Sequence, residues 1–591
     1  YVFKPGINKE GTNYSNEGGW FDADKVRFRK GRPERIGGWQ KQSTDSFIGT
    51  ARKIFVYRAS SGTNYITLGT HQKFYVLEGN SYSDVTPIRA TTTNGIVFSA
   101  TNGSTTITAT DDAHGAVEGD FVTISGAVSL GGNITAAVLN QEYQVTAVPS
   151  VDTFTFTATA TANSSDSGNG GSGADAAYQI NTGLDVYVRS TGWGAGTWGA
   201  STWGSATSLS LTNQLRLWSI DNFGDDVVLN PRAGGIFYWD ESSGTNTRAV
   251  NATSLSNASD VPTAVLQVMI SDVDKHAIAF GCNPIGSTTI DPLLVRFSDT
   301  ESIIDWTPTA TNQAGGVQLS MGSTIIGALR TRQEILIWTD AGIVSMRFVG
   351  APFVFSFNEV AHGPSLISPN AAVNANNQVY FMDNGGFYSY SGSAQRLPCT
   401  VLDYVLSDLN QAQAFKVFGA VNDSANEIMW FYPSGSSLEV DKYVMYNYLE
   451  NVWSIGTTSD NFVRTAWDSA LILDNPIAAS KNDSTSNNNY IFAHEIGHGD
   501  DGSNFSAYIE SSDFDLDPDG EKFIAVNKII PDVQFRDQQN TTDDVTITIK
   551  GRDYPLQDLS TLSTVSVTPA STFTNTRARS RQCAIRVSNS S

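Results

Sequence analysis

The clearest hairpin in the sequence is Gln378-Val-Tyr-Phe-Met-Asp-Asn-Gly-Gly-Phe-Tyr-Ser-Tyr-Ser-Gly392. Two short runs of apolar and aromatic residues flank an Asp-Asn-Gly-Gly turn, which is the kind of turn that closes a tight antiparallel pair. The stretch therefore predicts two neighbouring strands of an antiparallel sheet.

The same pattern of strand, turn and strand, usually followed by a Gly- or Asn-containing loop, recurs along the chain. Seven places share it: 64–79, 226–240, 276–306, 334–350, 378–392, 442–456 and 489–510. From residue 334 onward the spacing is about 45–65 residues, near the length of a four-stranded propeller blade. We predict an all-β chain with a six- or seven-bladed β-propeller-like body. The alternative is a set of unrelated hairpins in a sandwich.

The composition agrees with an all-β protein of more than one domain. The chain has 591 residues, 40% hydrophobic and only 16% charged, with 52 glycines. That length exceeds one compact core. Ser, Thr and Asn fill the polar share, and these residues suit strands and turns. The best helical pattern lies at 398–418.

The repeat is interrupted after the first predicted blade. We expect an N-terminal segment and first blade at 1–90, an inserted small β-barrel or sandwich at 91–163, and a flexible linker with a Trp-Gly repeat at 164–208. The remaining blades are expected at 209–510 and a C-terminal β-segment at 511–591. Indoles recur every five residues at Trp193, Trp198 and Trp203. Exposed indoles beside glycine make good contacts for a partner, although packing within their own domain explains them equally well.

The N-terminal segment is basic in an acidic chain. The formal net charge is −22, so most of the surface repels DNA, which argues against a DNA-binding regulator. The cations of the segment are Lys25, Arg27, Arg29, Lys30, Arg32 and Arg35. Strand periodicity places Lys25, Arg27 and Arg29 on one face, which predicts a contact with an acidic neighbouring copy. A solvated edge strand is the alternative.

The same segment resembles a known family. Its sequence is Gly6-Ile-Asn-Lys-Glu-Gly-Thr-Asn-Tyr-Ser-Asn-Glu-Gly-Gly-Trp-Phe-Asp-Ala-Asp-Lys-Val-Arg-Phe-Arg-Lys-Gly-Arg-Pro-Glu-Arg-Ile-Gly-Gly-Trp39. It is similar to the start of tail nozzle proteins of short-tailed bacteriophages, also called packaged-DNA stabilisation or tail accessory proteins. Looser matches are the Trp-Gly repeat at 192–204, the turn at 383–386 and the stretch Ala507-Tyr-Ile-Glu-Ser-Ser-Asp-Phe-Asp515.

The resemblance implies a structural virion protein and not an enzyme. It implies a homohexameric ring beneath the portal and its adaptor protein, in the tail of a virion made in the host cytoplasm. Such a ring would enclose the channel for passing double-stranded DNA and would carry tail fibres, tailspikes or a tip plug protein. A carbohydrate-binding or carbohydrate-degrading tail protein is the alternative, because β-folds of this composition also serve that role.

His494-Glu495-Ile496-Gly497-His498 matches the zinc metallopeptidase pattern letter for letter. That chemistry needs both imidazoles on one helical face, with the glutamate beside the metal-bound water. Here a strand-like run precedes the motif and glycine and aspartate follow it, so we expect a chance match in a hairpin. A zinc peptidase is the least favoured alternative.

We expect no cofactor and no stable membrane insertion. The run Asp515-Leu-Asp-Pro-Asp519 has no glutamate at the twelfth position of a calcium loop, so it predicts a turn, with an incidental calcium site left open. Cys282, Cys399 and Cys583 are odd in number and far apart, which predicts reduced thiols. No apolar run reaches the ~18 residues of a membrane span, and no signal peptide is visible.

Overall fold

The computed structural model describes residues 3–171, 173–188, 211–212, 214–272, 274–458, 462–470, 472–482, 488–515, 522–535, 544–554 and 557–589. Half of the chain lies in strands and 5% in helices. The helices are α1 (Ala136–Leu139), α2 (Leu402–Asp408) and short 3-10 turns at Tyr14–Asn16, Glu241–Ser243, Ala252–Ser254 and Gln411–Lys416. No helix in the described ranges is long and apolar enough to cross a membrane.

The N-terminal segment supplies strands to several other parts of the fold. Its strands are β1 (Trp20–Asp24), β2 (Val26–Arg29), β3 (Arg32–Arg35) and β4 (Trp39–Lys41). Strands β2 and β3 form a hairpin, closed by Lys30 and Gly31, both with positive φ. The other two strands pair with residues from the far end of the sequence.

Blade 1 is an antiparallel sheet of β5 (Ala51–Arg58), β6 (Asn64–Thr70), β7 (Phe74–Glu78) and β8 (Ser81–Asp84). An eight-stranded domain follows, with strands β9 (Ile88–Thr92), β10 (Val97–Ala100), β11 (Thr106–Thr110), β12 (Phe121–Ser125), β13 (Glu142–Ser150), β14 (Thr153–Thr157), β15 (Asp166–Asn169) and β16 (Asp175–Gln179). Their order is β15-β10-β11-β14-β13-β12-β16-β9. The first and last strands of this insertion pair with each other, so it leaves and re-enters the propeller at one place. Its strands extend beyond the 91–163 expected from the sequence.

Blades 2 to 6 follow as consecutive four-stranded antiparallel sheets. Blade 2 comprises β17 (Trp218–Phe223), β18 (Asp226–Pro231), β19 (Phe237–Trp239) and β20 (Val250–Asn251), and blade 3 comprises β21 (Val265–Ile270), β22 (Ala277–Cys282), β23 (Asp291–Phe297) and β24 (Gly315–Gln318). Blade 4 comprises β25 (Ile325–Arg330), β26 (Ile335–Thr339), β27 (Gly342–Gly350) and β28 (Val354–His362), and blade 5 comprises β29 (Ala372–Ala375), β30 (Gln378–Asp383), β31 (Gly386–Tyr390) and β32 (Ala394–Arg396). Blade 6 comprises β33 (Phe418–Asn422), β34 (Glu427–Tyr432), β35 (Lys442–Asn447) and β36 (Val452–Thr457).

Blade 7 takes its fourth strand from the N-terminal segment. Strands β37 (Phe462–Asp468), β38 (Ile477–Asn482) and β39 (Ile491–His494) come from the end of the propeller. Strand β4 then pairs antiparallel with β39, with Trp39 opposite His494. This pairing closes the ring of seven blades.

Two short strands, β40 (Gly499–Asp500) and β41 (Ser503–Asn504), extend the sheet of blade 7 beyond β4. The remaining strands build C-terminal sheets onto the propeller, and they are β42 (Ala507–Ser511), β43 (Ile524–Ile529), β44 (Val545–Arg552), β45 (Ser560–Val567), β46 (Thr574–Ser580) and β47 (Gln582–Asn589). Five strands form one sheet in the order β1-β42-β47-β44-β45, and β43 pairs with β46. Strand β1 is therefore an edge strand of the C-terminal sheet.

Each blade buries both of its faces, which explains the continuous apolar runs. In β26, Ile335 and Ile337 pack towards blade 3, whereas Leu336 and Trp338 pack towards blade 5. Alternate side chains point to opposite faces of a strand, so one buried strand serves two cores. The prediction of an all-β propeller-like body is confirmed. Six of the hairpin patterns fall in blades 1 to 6, one in each, whereas the seventh, 489–510, begins with β39 of blade 7 and ends with β42 of the C-terminal sheet.

Candidate functional site

The first strands of the blades surround an axial cavity of about 300 Å³. Six blades line it, and its polar groups include Lys53 on β5 and Asp468 on β37. Burial lowers the pKa of Lys53, and the carboxylates of Asp468 and Asp221 oppose that shift. Burial likewise raises the pKa of Asp468 to about 6, while its Oδ2 accepts a hydrogen bond of 2.9 Å from the Val56 amide of blade 1. The cavity can hold water or a small polar molecule.

A buried ionic cluster lies at the junction of blades 1, 6 and 7. Arg52 of β5 is bidentate to Glu439, at 2.6 and 2.7 Å, and its Nη2 also donates to Asp185 at 2.6 Å. Lys481 contacts Asp185 at 2.6 Å, and Lys416 lies 3.6 Å from Glu439. Burial lowers the pKa of Lys416 to about 8. Because Asp185 follows the inserted domain, the cluster fixes the returning chain to the propeller. The sequence signal for it was a pair of cations, Arg52 and Lys53, inside an otherwise apolar strand.

The N-terminal segment is held where the propeller meets the C-terminal sheet. Strand β1 pairs with β42, and Ile7, Trp20 and Trp39 are buried in one core with blades 5 and 6. Gly37 and Gly38 allow a close approach of chains: a Cβ on Gly38 would lie 2.5 Å from the carbonyl oxygen of Gly499. Strand β4 can therefore take its place beside these chains only because the two residues before Trp39 are glycines.

Two of the predicted interface cations lie inside the protein instead of on its surface. Lys25 is not part of β2, because its φ is +56°, and its Nζ contacts Asp24 at 2.8 Å and Thr457 at 3.1 Å. Arg27 is 4% exposed and pairs with Glu427 and Glu495. The prediction of one exposed basic face is therefore corrected: these two side chains have little surface for a neighbouring copy.

The other predicted cations surround the turn of the β2–β3 hairpin. Arg29, Lys30 and Arg32 are exposed, and Glu450 accepts hydrogen bonds from the amides of Lys30 and Gly31. Arg35 is half-buried and lies over the Phe505 ring at 4.2 Å. A subunit contact through Arg29, Lys30 and Arg32 stays a prediction. Trp193, Trp198 and Trp203 lie outside the described residues.

The zinc-like motif has a different arrangement in the structure. His494 ends strand β39, is 8% exposed, and its Nε2 accepts a hydrogen bond of 2.9 Å from Arg464 Nε. Burial and the nearby guanidinium hold the pKa of His494 well below its usual value.

Glu495 has φ +61°, and its carboxylate bonds Arg27, Asn422 and the Gly37 amide. Zinc chemistry would require the lone pair of His494 Nε2 and the carboxylate of Glu495. Both already accept hydrogen bonds within the protein, where the propeller closes. Across the described ranges, no three His, Cys, Asp or Glu side chains could hold a metal.

The start of the acidic stretch at Asp515, together with Asp513 just before it, accepts hydrogen bonds from the N-terminal segment. Tyr14 donates a hydrogen bond of 2.8 Å to Asp515 Oδ2, and Asn13 donates to Asp513 Oδ1 at 3.2 Å. The stretch therefore anchors the N-terminal segment. Residues 516–519 of the predicted turn lie outside the described residues.

No protein-family model and no curated protein matches the chain. Solved structures match the chain at low similarity. YCF48 is 10% identical with a TM-score of 0.29, covering 50% of this chain and 83% of its own. The endosialidase of phage phi92 is 11% identical with a TM-score of 0.17, covering 84% and 75%. A Synechocystis apocarotenoid oxygenase is 6% identical with a TM-score of 0.27, covering 69% and 92%. Similarity at this level carries no argument about activity.

Proposed function

We propose that this chain is a structural subunit of a short-tailed phage tail, a nozzle protein. Six copies form a ring beneath the portal and its adaptor. The ring retains the packaged genome, conducts it during ejection and carries fibres or a tip protein. The protein works mechanically, without a catalytic step.

One observation carries the proposal: the segment that resembles nozzle proteins is the segment that completes this fold. Ile7, Trp20 and Trp39 of that segment are buried, and Gly37 and Gly38 permit the close contact beside the closing strand. A match at these positions is evidence for a similar architecture, because these residues join the propeller to the C-terminal sheet. It supports a shared body plan with the nozzle family.

The size of the axial cavity directs the path of DNA to a space between copies. The major groove of a DNA duplex is alone about 12 Å wide. The cavity within one propeller has a volume of only about 300 Å³, so the duplex cannot pass through it. A conduit for DNA therefore requires a ring of several copies around a common lumen. The net charge of −22 per chain gives such a ring a field that disfavours adsorption of phosphates.

The deciding experiment is immunogold labelling of purified virions with antibodies against the chain. Gold at the distal part of a short tail is expected. Unlabelled virions, with the protein confined to infected cells, would overturn the proposal.

Ring formation is tested separately with the purified chain, whose mass in solution is measured by light scattering. The double variant Arg29→Glu/Arg32→Glu changes the exposed hairpin cations and should weaken the ring. Arg332→Glu, an exposed position on blade 4, is the matched control. Equal assembly of both variants would exclude the hairpin from the subunit contact.

A further inference from the structure

A second, smaller cavity of about 30 Å³ lies between blades 6 and 7, beneath the N-terminal segment. Blade 6 contributes Tyr443 of β35, blade 7 contributes Arg464 and His494, and the N-terminal segment contributes Arg27 and Trp39. One water needs roughly 10–15 Å³ of such space, so the cavity has room for a water molecule or a small ion.

Arg464 is a buried cation without a close anionic partner. Its side chain is 2% exposed and lies between the rings of Trp39 and Phe492, at 5.1 and 4.4 Å. Its Nε donates to His494 and its Nη1 to the Phe462 carbonyl oxygen. Within the described part of the chain, no carboxylate comes within ion-pair distance of it.

The electrostatics of Arg464 agree with that geometry. Burial lowers its pKa to about 9, with Asp500 as the carboxylate that opposes the shift. Asp500 already accepts a hydrogen bond of 2.6 Å from Trp39 Nε1. Burying a charge without a counter-ion is costly, so the site favours an additional negative charge.

Three buried polar atoms on residues that line this cavity have no hydrogen-bond partner among the described residues. They are Arg464 Nη2, Tyr443 Oη and Arg27 Nε, the last of which lies 3.3 Å from the Glu427 carboxylate in an ion pair. Tyr443 is 5% exposed, and burial raises its pKa well above the usual value, so the hydroxyl keeps its proton and can donate. The carboxylate of Glu495, which also lines the cavity, is paired with Arg27. Unpartnered buried donors are rare in folded proteins.

We propose that this cavity binds one small monovalent anion, a halide such as chloride. The anion accepts hydrogen bonds from Arg464 and Tyr443 and supplies the charge that the guanidinium lacks. The cavity has room for a monoatomic ion. Because the donors come from neighbouring blades, the bound ion links blade 6 to blade 7 where the ring closes.

The proposal is tested on the full chain by thermal unfolding at matched ionic strength, with sodium chloride in one series and sodium gluconate in the other. A ligand that binds only the folded state raises the melting temperature with the logarithm of its concentration. The rise is expected in chloride and bromide and absent in gluconate. Crystals soaked in bromide should show an anomalous peak between Arg464 and Tyr443.

Tyr443→Phe removes one donor and keeps the ring, and should weaken the apparent chloride affinity about tenfold, as expected for a hydrogen bond to a charged group. Tyr446→Phe on the same strand is the matched control, because its hydroxyl bonds Asn451 instead. Arg464→Met should abolish the chloride effect; if that variant does not fold, the tyrosine pair and the bromide crystals decide. Equal melting temperatures in chloride and gluconate, with no bromide peak, would overturn the proposal and leave water as the occupant.

Discussion

Replacing Glu427 by glutamine should remove a pH dependence from the stability of the propeller. Glu427 of β34 is 1% exposed, and neither carboxylate oxygen has a hydrogen-bond partner among the described residues. Burial raises its pKa to about 7; Arg27 opposes the shift and Glu495 adds to it. The ordinary value is 4.5, so the folded state favours the protonated acid.

The sign and size follow from the difference between the two pKa values. Below about pH 4.5 the acid is protonated in both the folded and the unfolded chain, and it imposes no penalty. Between about pH 4.5 and 7 the unfolded chain loses this proton while the folded chain keeps it, so the free energy of unfolding falls across that range and levels off above it. A difference of this size corresponds to on the order of 3 kcal/mol, fully developed above neutral pH.

The assay is the melting temperature of wild type and Glu427→Gln at pH values from 5 to 8. The wild type should lose stability across this range, and the variant should lose less. Asp468, with a raised pKa of its own, contributes a residual slope of the same sign to both proteins. Glu118→Gln, at an exposed position of the inserted domain, is the control and should follow the wild type. If Glu427→Gln keeps the full wild-type slope, the assignment of the buried proton to Glu427 is refuted.

Three further substitutions test how the ring is closed and held. Trp39→Ala should destabilise the propeller by about 3–5 kcal/mol, because it leaves a cavity in a buried site. The variant should therefore have a lower melting temperature than the wild type in calorimetry. Gly38→Ala would force a Cβ against the backbone of β40 and should cost about 1–3 kcal/mol; Gly385→Ala, with open space around it, should melt like the wild type. Arg52→Met leaves Glu439 without its bidentate partner and should cost on the order of 3 kcal/mol; if Glu439→Gln then restores no stability in the double variant, the pair is not coupled.

The blades could be predicted from the sequence because the information for them is local. In 378–392, a turn and the residues on either side of it specify a hairpin, and the structure has β30 and β31 there. Closure of the ring could not be predicted in the same way. Strand β4 has three residues, and nothing near Trp39 in the sequence indicates that it pairs with His494.

The interface prediction was partly wrong for a similar reason. Strict alternation placed Lys25 in a strand and Arg27 on an open face, but the positive φ of Lys25 starts β2 one residue later. Residues 427 and 495, distant in sequence, then cover Arg27. Cations among the apolar residues of a strand, as at Arg27 and Arg52, were the available signal for a buried ionic contact.

The pairing of β4 with β39 sets an order for biosynthesis. Strand β4 leaves the ribosome long before β39 exists, so it remains without its partner while six complete blades are made. Contacts between such distant residues slow folding, since a long loop must close before they form. The same topology slows opening, because blade 7 cannot detach without releasing both ends of the propeller. A fold of this kind forms slowly and, once its last blade is closed, is lost more slowly still.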